Sequence, residues 1–207
     1  MTTVCYVAHC LLNANAKVED GARCAGVHTP VLALLRNHGC TIRQMPCPEL
    51  AFGGTRRFWA VREQYDTPVY RRHCRRLAEP VAAQIRADLE TGARVIILGI
   101  DGSPTMGVEL TAASEEWGGR PDKPNDADYP VTLGAGLFTE TLLDQLSGVL
   151  LDVRTVGIGQ DLIDYDEAAG SRSSRARRRR GATGRHPASD PPLVRMASRW
   201  ARSAASS

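Results

Sequence analysis

Apolar positions along this chain fall into short runs of strand length separated by longer stretches at helical spacing. Residues 4–8 (Val-Cys-Tyr-Val-Ala) form a β-prone run that ends at His9-Cys10 and gives way to a polar stretch over 13–26. Thr29-Pro30 then opens a helix. Thr29 is its expected cap, Pro30 fits the first turn, and Val31, Leu34 and Leu35 keep helical spacing until Gly39. Residues 41–45 give a second strand, closed by Pro46-Cys47-Pro48. The stretch 51–72 reads as irregular, with Phe52, Phe58, Trp59, Tyr65 and Tyr70 interleaved with Arg56, Arg57 and Arg62. A helix is predicted over 72–91, with Gly92 as terminator. Residues 95–100 (Val-Ile-Ile-Leu-Gly-Ile) are uninterrupted, as in a central parallel strand covered on both faces, and lead into Asp101-Gly102-Ser103-Pro104. A Gly-, Pro- and Asp-rich loop over 118–130, a helix over 138–146 and a strand over 153–158 complete the pattern.

Strands alternating with helices of ten or more residues imply βαβ units. The expectation is an α/β fold: a single domain over residues 1–167, with a mostly parallel sheet flanked by helices. The chain of 207 residues is long enough for one well-buried domain and short for two. In such sheets the functional crevice lies beyond the carboxyl ends of the strands. Three strands end in distinctive residues: His9-Cys10, Cys47-Pro48-Glu49, and 101–107. As parallel neighbours they bring these ends to one rim.

Residues 168–207 break the pattern. They are Arg-, Ser- and Ala-rich, and a tail so poor in apolar side chains is expected to be disordered, because it buries too little surface to offset its ordering entropy. The same composition suits a frameshifted reading of GC-rich DNA, which nucleotide sequencing of the locus decides. The tail also changes how the charge is read. From 170 to 207 there are ten Arg against one Asp, +9, so the rest carries sixteen basic residues against twenty-two acids, −6. An acidic body lacks the basic face of a nucleic-acid-binding fold, which leaves the Arg-rich tail as the one nucleic-acid partner surface expected. No apolar run approaches the length of about 20 residues needed to span a bilayer, so no membrane partner is expected. Met1-Thr2-Thr3 carries no basic n-region, so a cytoplasmic location is expected. Six cysteines, at 5, 10, 24, 40, 47 and 74, then stay reduced and serve burial, catalysis or metal binding.

Spacing alone gives limited chemistry. There is no Cys-x-x-Cys pair and no Gly-x-Gly-x-x-Gly after the first strand. The turn over 102–107 suits a backbone nest for an anion. Taken together, however, His9-Cys10-Leu11-Leu12-Asn13-Ala14-Asn15-Ala16-Lys17-Val18, Pro46-Cys47-Pro48-Glu49, Gln64-Tyr65-Asp66-Thr67-Pro68 and Gly99-Ile100-Asp101-Gly102-Ser103-Pro104 occur in this order. In these motifs residues 4–166 resemble the thiouracil desulfidase-related family, formerly a domain of unknown function.

The resemblance implies a 4Fe-4S cluster held by three cysteines, with an open iron that takes sulfur from a small thiolated substrate such as a thiopyrimidine. Carried onto this chain, Cys10 and Cys47 match the first two ligands, Glu49 the carboxylate after the second, and Ser103 the serine of the Ser-Pro turn. The third ligand falls on Met106, whose thioether is neutral and a weak donor, whereas such clusters are held by thiolates. Cys5 lies about 16 Å from Cys10 along an extended strand and is a poor substitute; Cys24 sits on a loop that can fold back; Cys40 and Cys74 suit packing.

Two roles stand for most of the other candidates. Glu49 serves as general acid or base, or caps backbone amides after Pro48. Ser103 bonds the substrate, or is a turn residue. His9 supplies a proton, or is simply hydrogen-bonded. Asn13 and Asn15 satisfy their loop. Trp59 or Tyr65 stacks on a flat heterocycle, or belongs to the core. Arg71, Arg72, Arg75 and Arg76 form a solvated helix face. The function expected is an iron-sulfur-dependent, desulfidase-like enzyme. Its alternative is a cluster-less relative, marked by Met106, that binds a small molecule or has no catalytic role.

Overall fold

Strand β1 (Thr3–Val7) is buried over Val4–Val7 because it has a strand on either side. In this computed structural model, which describes residues 1–18, 22, 24–115, 131–159, 165–166 and 171–172, β2 (Thr41–Gln44) flanks one edge of β1 and β3 (Arg94–Ile100) the other. β6 (Val153–Ile158) lies beyond β3, so the sheet runs β2-β1-β3-β6 with every pairing parallel. The expected α/β architecture, a mostly parallel sheet with flanking helices, is the one observed.

The register is regular. Val4 faces Thr41 and Val7 faces Gln44 across one side of β1; Thr3 faces Arg94 and Val7 faces Leu98 across the other. Burial follows from placement: all of β3 except Arg94 is buried, as its apolar run requires of a strand paired on both edges. Because right-handed crossovers are the rule, α5 (Pro68–Glu90) and α6 (Leu137–Gln145), which pack on each other, share one face, and α2 (Thr29–Asn37) takes the other.

Several helix starts differ from expectation. The cap of α2 is His28, whose Nδ1 accepts from Val31 N at 3.4 Å, with Thr29 already helical. The stretch expected to be irregular holds α3 (Pro48–Gly53) and α4 (Arg62–Tyr65), and α5 begins at Pro68, four residues before the expected start. The reason is local. Thr67 Oγ1 accepts from Tyr70 N at 3.2 Å and Pro68 occupies the first turn, where its missing N–H goes unnoticed. α1 (His9–Leu12) and a 3-10 turn (Ala14–Ala16) follow β1 directly. β4 (Leu110–Ala112) and β5 (Val131–Leu133) pair antiparallel.

The chain forms two compact units, Met1–Ile158 and Gly159–Ser207. In the second, β7 (Tyr165–Asp166) pairs antiparallel with β8 (Ser171–Arg172). The turn-rich loop expected over 118–130 and nearly all of the expected disordered tail lie outside the described residues. No described helix is long and apolar enough to cross a membrane.

The sheet is tied to α5 by one buried polar knot. Asp88, 7% exposed, accepts from Tyr6 Oη at 2.6 Å, Arg43 Nε at 2.8 Å and Arg43 Nη2 at 2.8 Å. Burial opposes the charge on Asp88, but the bonds from Arg43, Tyr6 and Gln84 outweigh it and hold the carboxyl below its ordinary range. A depressed folded-state pKa gives stability that is complete above the unfolded value of about 4 and is lost as pH falls through the folded value. Asp88→Asn is therefore expected to lower stability by about 2 kcal/mol at neutral pH and to flatten the acid limb of the stability curve, read by denaturant melts across pH.

Candidate functional site

The parallel register carries chemistry past the ends of the strands. Cys10 and Cys47 each stand three residues beyond the last paired positions, Val7 and Gln44, so they leave adjacent strands at the same level. His9 Nδ1 bonds Gln44 Nε2 at 3.1 Å across this gap, and Met45 N donates to Val7 O at 2.9 Å. Cys10 lies in α1, and Cys47 is the cap of α3, its Sγ accepting from Leu50 N at 3.4 Å. Both cysteines are half-buried. Burial pushes the Cys10 thiol up to about 12; Cys47 and Glu49 add to this and Lys17 opposes it. Cys47 is raised by burial and by Glu49. Both are therefore neutral thiols at neutral pH.

Glu49, in the first turn of α3, is the hub. Its Oε2 accepts from Arg57 Nε at 3.2 Å and from Tyr65 Oη at 3.3 Å, and its Oε1 accepts from Thr105 Oγ1 at 2.7 Å. The amide-capping role weighed for it falls to Cys47 instead. Arg57 also donates to Gly54 O at 2.7 Å and to Ala16 O at 2.8 Å, so one guanidinium joins the Cys47 helix to the turn that follows Cys10. The Arg57 and Glu49 side chains are only 8% and 13% exposed, a pairing that shields the charge of each from the low-dielectric surroundings.

The third strand end is a closed turn. Asp101 Oδ1 accepts from the amides of Val108 and Glu109 at 3.0 Å and of Leu110 at 3.3 Å. Gly157 makes room for this carboxylate: a Cβ there would stand 2.0 Å from Asp101 Oδ2. Gly99 does the same for the Met106 carbonyl, at 2.3 Å. Ser103 Oγ accepts from Thr105 N at 3.3 Å and Met106 N at 3.0 Å, so it holds the turn. The anion nest expected over 102–107 is not formed, because the amides of Gly102, Ser103, Thr105, Met106 and Gly107 all donate within the protein.

Cys10, Cys47, Glu49 and the Ser103 turn thus meet at one rim, and Met106 is buried at 3% exposure. Cys5 and Cys74 are buried, and Cys40 precedes β2 at the opposite end of the sheet. The loop bearing Cys24 does fold back, with Ala14 N bonded to Gly26 O and His28 N to Leu11 O. Even so, among the described residues no three His, Cys, Asp or Glu side chains gather where they could hold a metal ion. Asn13 accepts from Asn15 N, as a loop-satisfying residue should. Trp59 packs with Val61 and Ala112 in a satellite core, whereas Tyr65 joins the rim through Glu49. Arg71 is no free surface charge: it pairs with Asp66 and, with Arg62, with Glu140. Arg57 and Thr105 are the site residues without a role legible in the sequence; Thr105 had as its signal only its place in the Ser-Pro turn, and Arg57 only its place among the aromatics and arginines of 51–72.

The raised Cys10 thiol gives a direct check. Its labelling by iodoacetamide, read on the Cys10 peptide by mass spectrometry, is expected to rise about tenfold per pH unit from pH 8 to 11. Glu49→Gln, which removes a charge that raises this thiol, is expected to shift the profile to lower pH.

No family model matches the chain. A solved structure of the 4Fe-4S-dependent thiouracil desulfidase TudS aligns with 75% of this chain and 91% of its own, at 21% identity and a TM-score of 0.44. Over 105 residues the chain is 32% identical to the uncharacterized protein MJ0003 of Methanocaldococcus jannaschii, an alignment covering 51% of this chain and 67% of that protein. At this identity over two thirds of the relative's length, the chain belongs to the same family as MJ0003.

Proposed function

We propose that this chain is a cytoplasmic, desulfidase-like protein whose rim takes a small thiolated compound such as a thiopyrimidine. The observation that carries this reading is the meeting of Cys10 and Cys47, at matching positions on adjacent strands, with Glu49 held by three donors beside them. Neutral thiols are soft, polarizable neighbours for a thiocarbonyl sulfur. Exchange of that sulfur for oxygen needs water to add at carbon and hydrogen sulfide to leave. Glu49, with one lone pair on Oε1 beyond the three positions already filled, is the group placed to accept the water's proton. Ser103 contributes by shaping the turn that presents Thr105 to Glu49.

The 4Fe-4S cluster implied by the motif resemblance asks for three thiolates. The rim supplies two, and its third position is the buried thioether of Met106. That donor set is one thiolate short, and the chemistry above uses the chain's own groups. The shortfall favours the cluster-less alternative, in which the rim recognises the thiolated compound without an assembled cluster.

Anaerobic titration with 4-thiouracil, followed by its absorbance, is expected to show saturable binding by the wild-type chain and by Met106→Cys. After reconstitution with iron and sulfide, only Met106→Cys is expected to retain roughly four irons per chain. Loss of binding in both proteins overturns the thiolated-ligand reading. Four irons on the wild type would instead mean that another donor completes the set, and would restore the cluster-dependent desulfidase.

A further inference from the structure

Away from the rim, a second pair of thiols meets across the same two strands. Cys5 lies in β1 and is paired with Ile42 of β2, and Cys40 stands two positions before Ile42, directly ahead of the strand. Side chains alternate along a strand, so Cys5, Ile42 and Cys40 share one face and the two thiols are diagonal neighbours. A hydrogen bond joins them: the Cys5 S–H donates to the Cys40 sulfur, whose own S–H points to His38 O at 4.0 Å.

The two differ in access and in freedom. Cys5 is fully buried, whereas Cys40 is half-buried and reaches solvent. Cys40 also precedes the first paired residue of β2, Thr41, and follows Gly39, which turns the chain out of α2 at a φ of 63°. Standing outside the ladder, it can make the small approach that an S–S bond of about 2.05 Å needs. Burial, and then Cys40, pushes the Cys5 thiol far up; burial raises Cys40 too, but the bond from Cys5 works against that rise. Cys40 is thus both the thiol that an oxidant reaches and the one whose thiolate is favoured.

We propose that Cys5 and Cys40 form a peroxide-responsive disulfide that fastens β1 to the start of β2, with Cys40 as the attacking thiol and Cys5 as the buried resolving thiol. The Cys40 thiolate takes one oxygen from hydrogen peroxide and releases hydroxide, leaving a sulfenic acid. The Cys5 sulfur then attacks Cys40 Sγ, the S–O bond breaks, and the hydroxide leaves as water with the proton that Cys5 gives up. Two thiols lose two electrons and two protons, and one peroxide becomes two waters. Both thiols are raised, so at neutral pH the pair answers a sustained oxidant load and not a passing one. The bond closes the loop over 5–40, which carries Cys10, and so secures the register on which the rim is built.

The test is peroxide treatment of the reduced full-length chain, alkylation of the remaining thiols, and mass spectrometry of peptides kept unreduced. A peptide joined through Cys5 and Cys40 is expected as the main cross-link of the folded protein, and scattered pairs in protein unfolded with guanidinium. Cys40→Ser is expected to abolish the joined peptide and leave Cys5 reduced, whereas Cys5→Ser is expected to leave Cys40 as a sulfenic acid trapped by dimedone. Because Cys5→Ser places a hydroxyl in the core, Cys40→Ser is the deciding variant if the other does not fold. Oxidation is expected to raise the melting temperature by on the order of 5 °C, reversed by dithiothreitol and absent in Cys40→Ser. No joined peptide, cross-links confined to Cys10 and Cys47, or an unchanged or lowered melting temperature overturns the proposal.

Discussion

Val4–Val7 of β1 each face the β2 residue 37 positions later, and the rest of the site depends on this constant offset. A parallel pair holds its register through evenly spaced bonds, and a slip by one residue would move every side chain of β1 to the opposite face of the sheet. Because β1 is paired on both sides and buried, its register is fixed by the core. The level at which Cys10 and Cys47 emerge is therefore a consequence of packing several residues upstream.

The third contributor reaches the rim by a different means. After β3 the chain makes a tight turn organised by the Asp101 carboxylate, which gathers three successive amides and sits where only the bare face of Gly157 leaves space. That closure spends the turn's backbone donors internally and sends one side chain, Thr105, to Glu49. The rim is thus polar through side chains and not through exposed backbone. This is why a hydroxyl, a guanidinium and a phenol surround the carboxylate where an anion would otherwise be cradled.

Much of this was legible in the sequence, and the parts that were not share a cause. Apolar runs mark β1 and β3 nearly residue for residue, because their burial leaves a local trace, and β6 shows through its β-prone Val153–Ile158. Cys10, Cys47 and Glu49 were readable as strand-end chemistry for the same reason. The start of α5 was missed although Thr67-Pro68 repeats the signature seen at Thr29-Pro30, because the aromatics around it, Tyr65 and Tyr70, belong to contacts with α3 and α4 and mask the helical period. The nest reading fails because the hydrogen bonds that Ser103 Oγ and Asp101 Oδ1 accept depend on how the turn closes. Arg57 shows in the sequence only as one of several arginines among the aromatics of 51–72: its partners at Ala16, Glu49 and Gly54 converge on it only in three dimensions.

The Arg57 clasp has a consequence for how the molecule opens. α1 is four residues long, and a helix of that length has no stability of its own. The turn after it is clasped across 41 residues of sequence by one guanidinium and tied to the following loop by backbone bonds of Ala14 and Leu11, while the sheet beneath is secured by its own core. Thermal excursions should therefore divide along this line. The segment bearing Cys10 is therefore expected to open at lower free energy than the four strands, so that the thiol pair separates before the fold does.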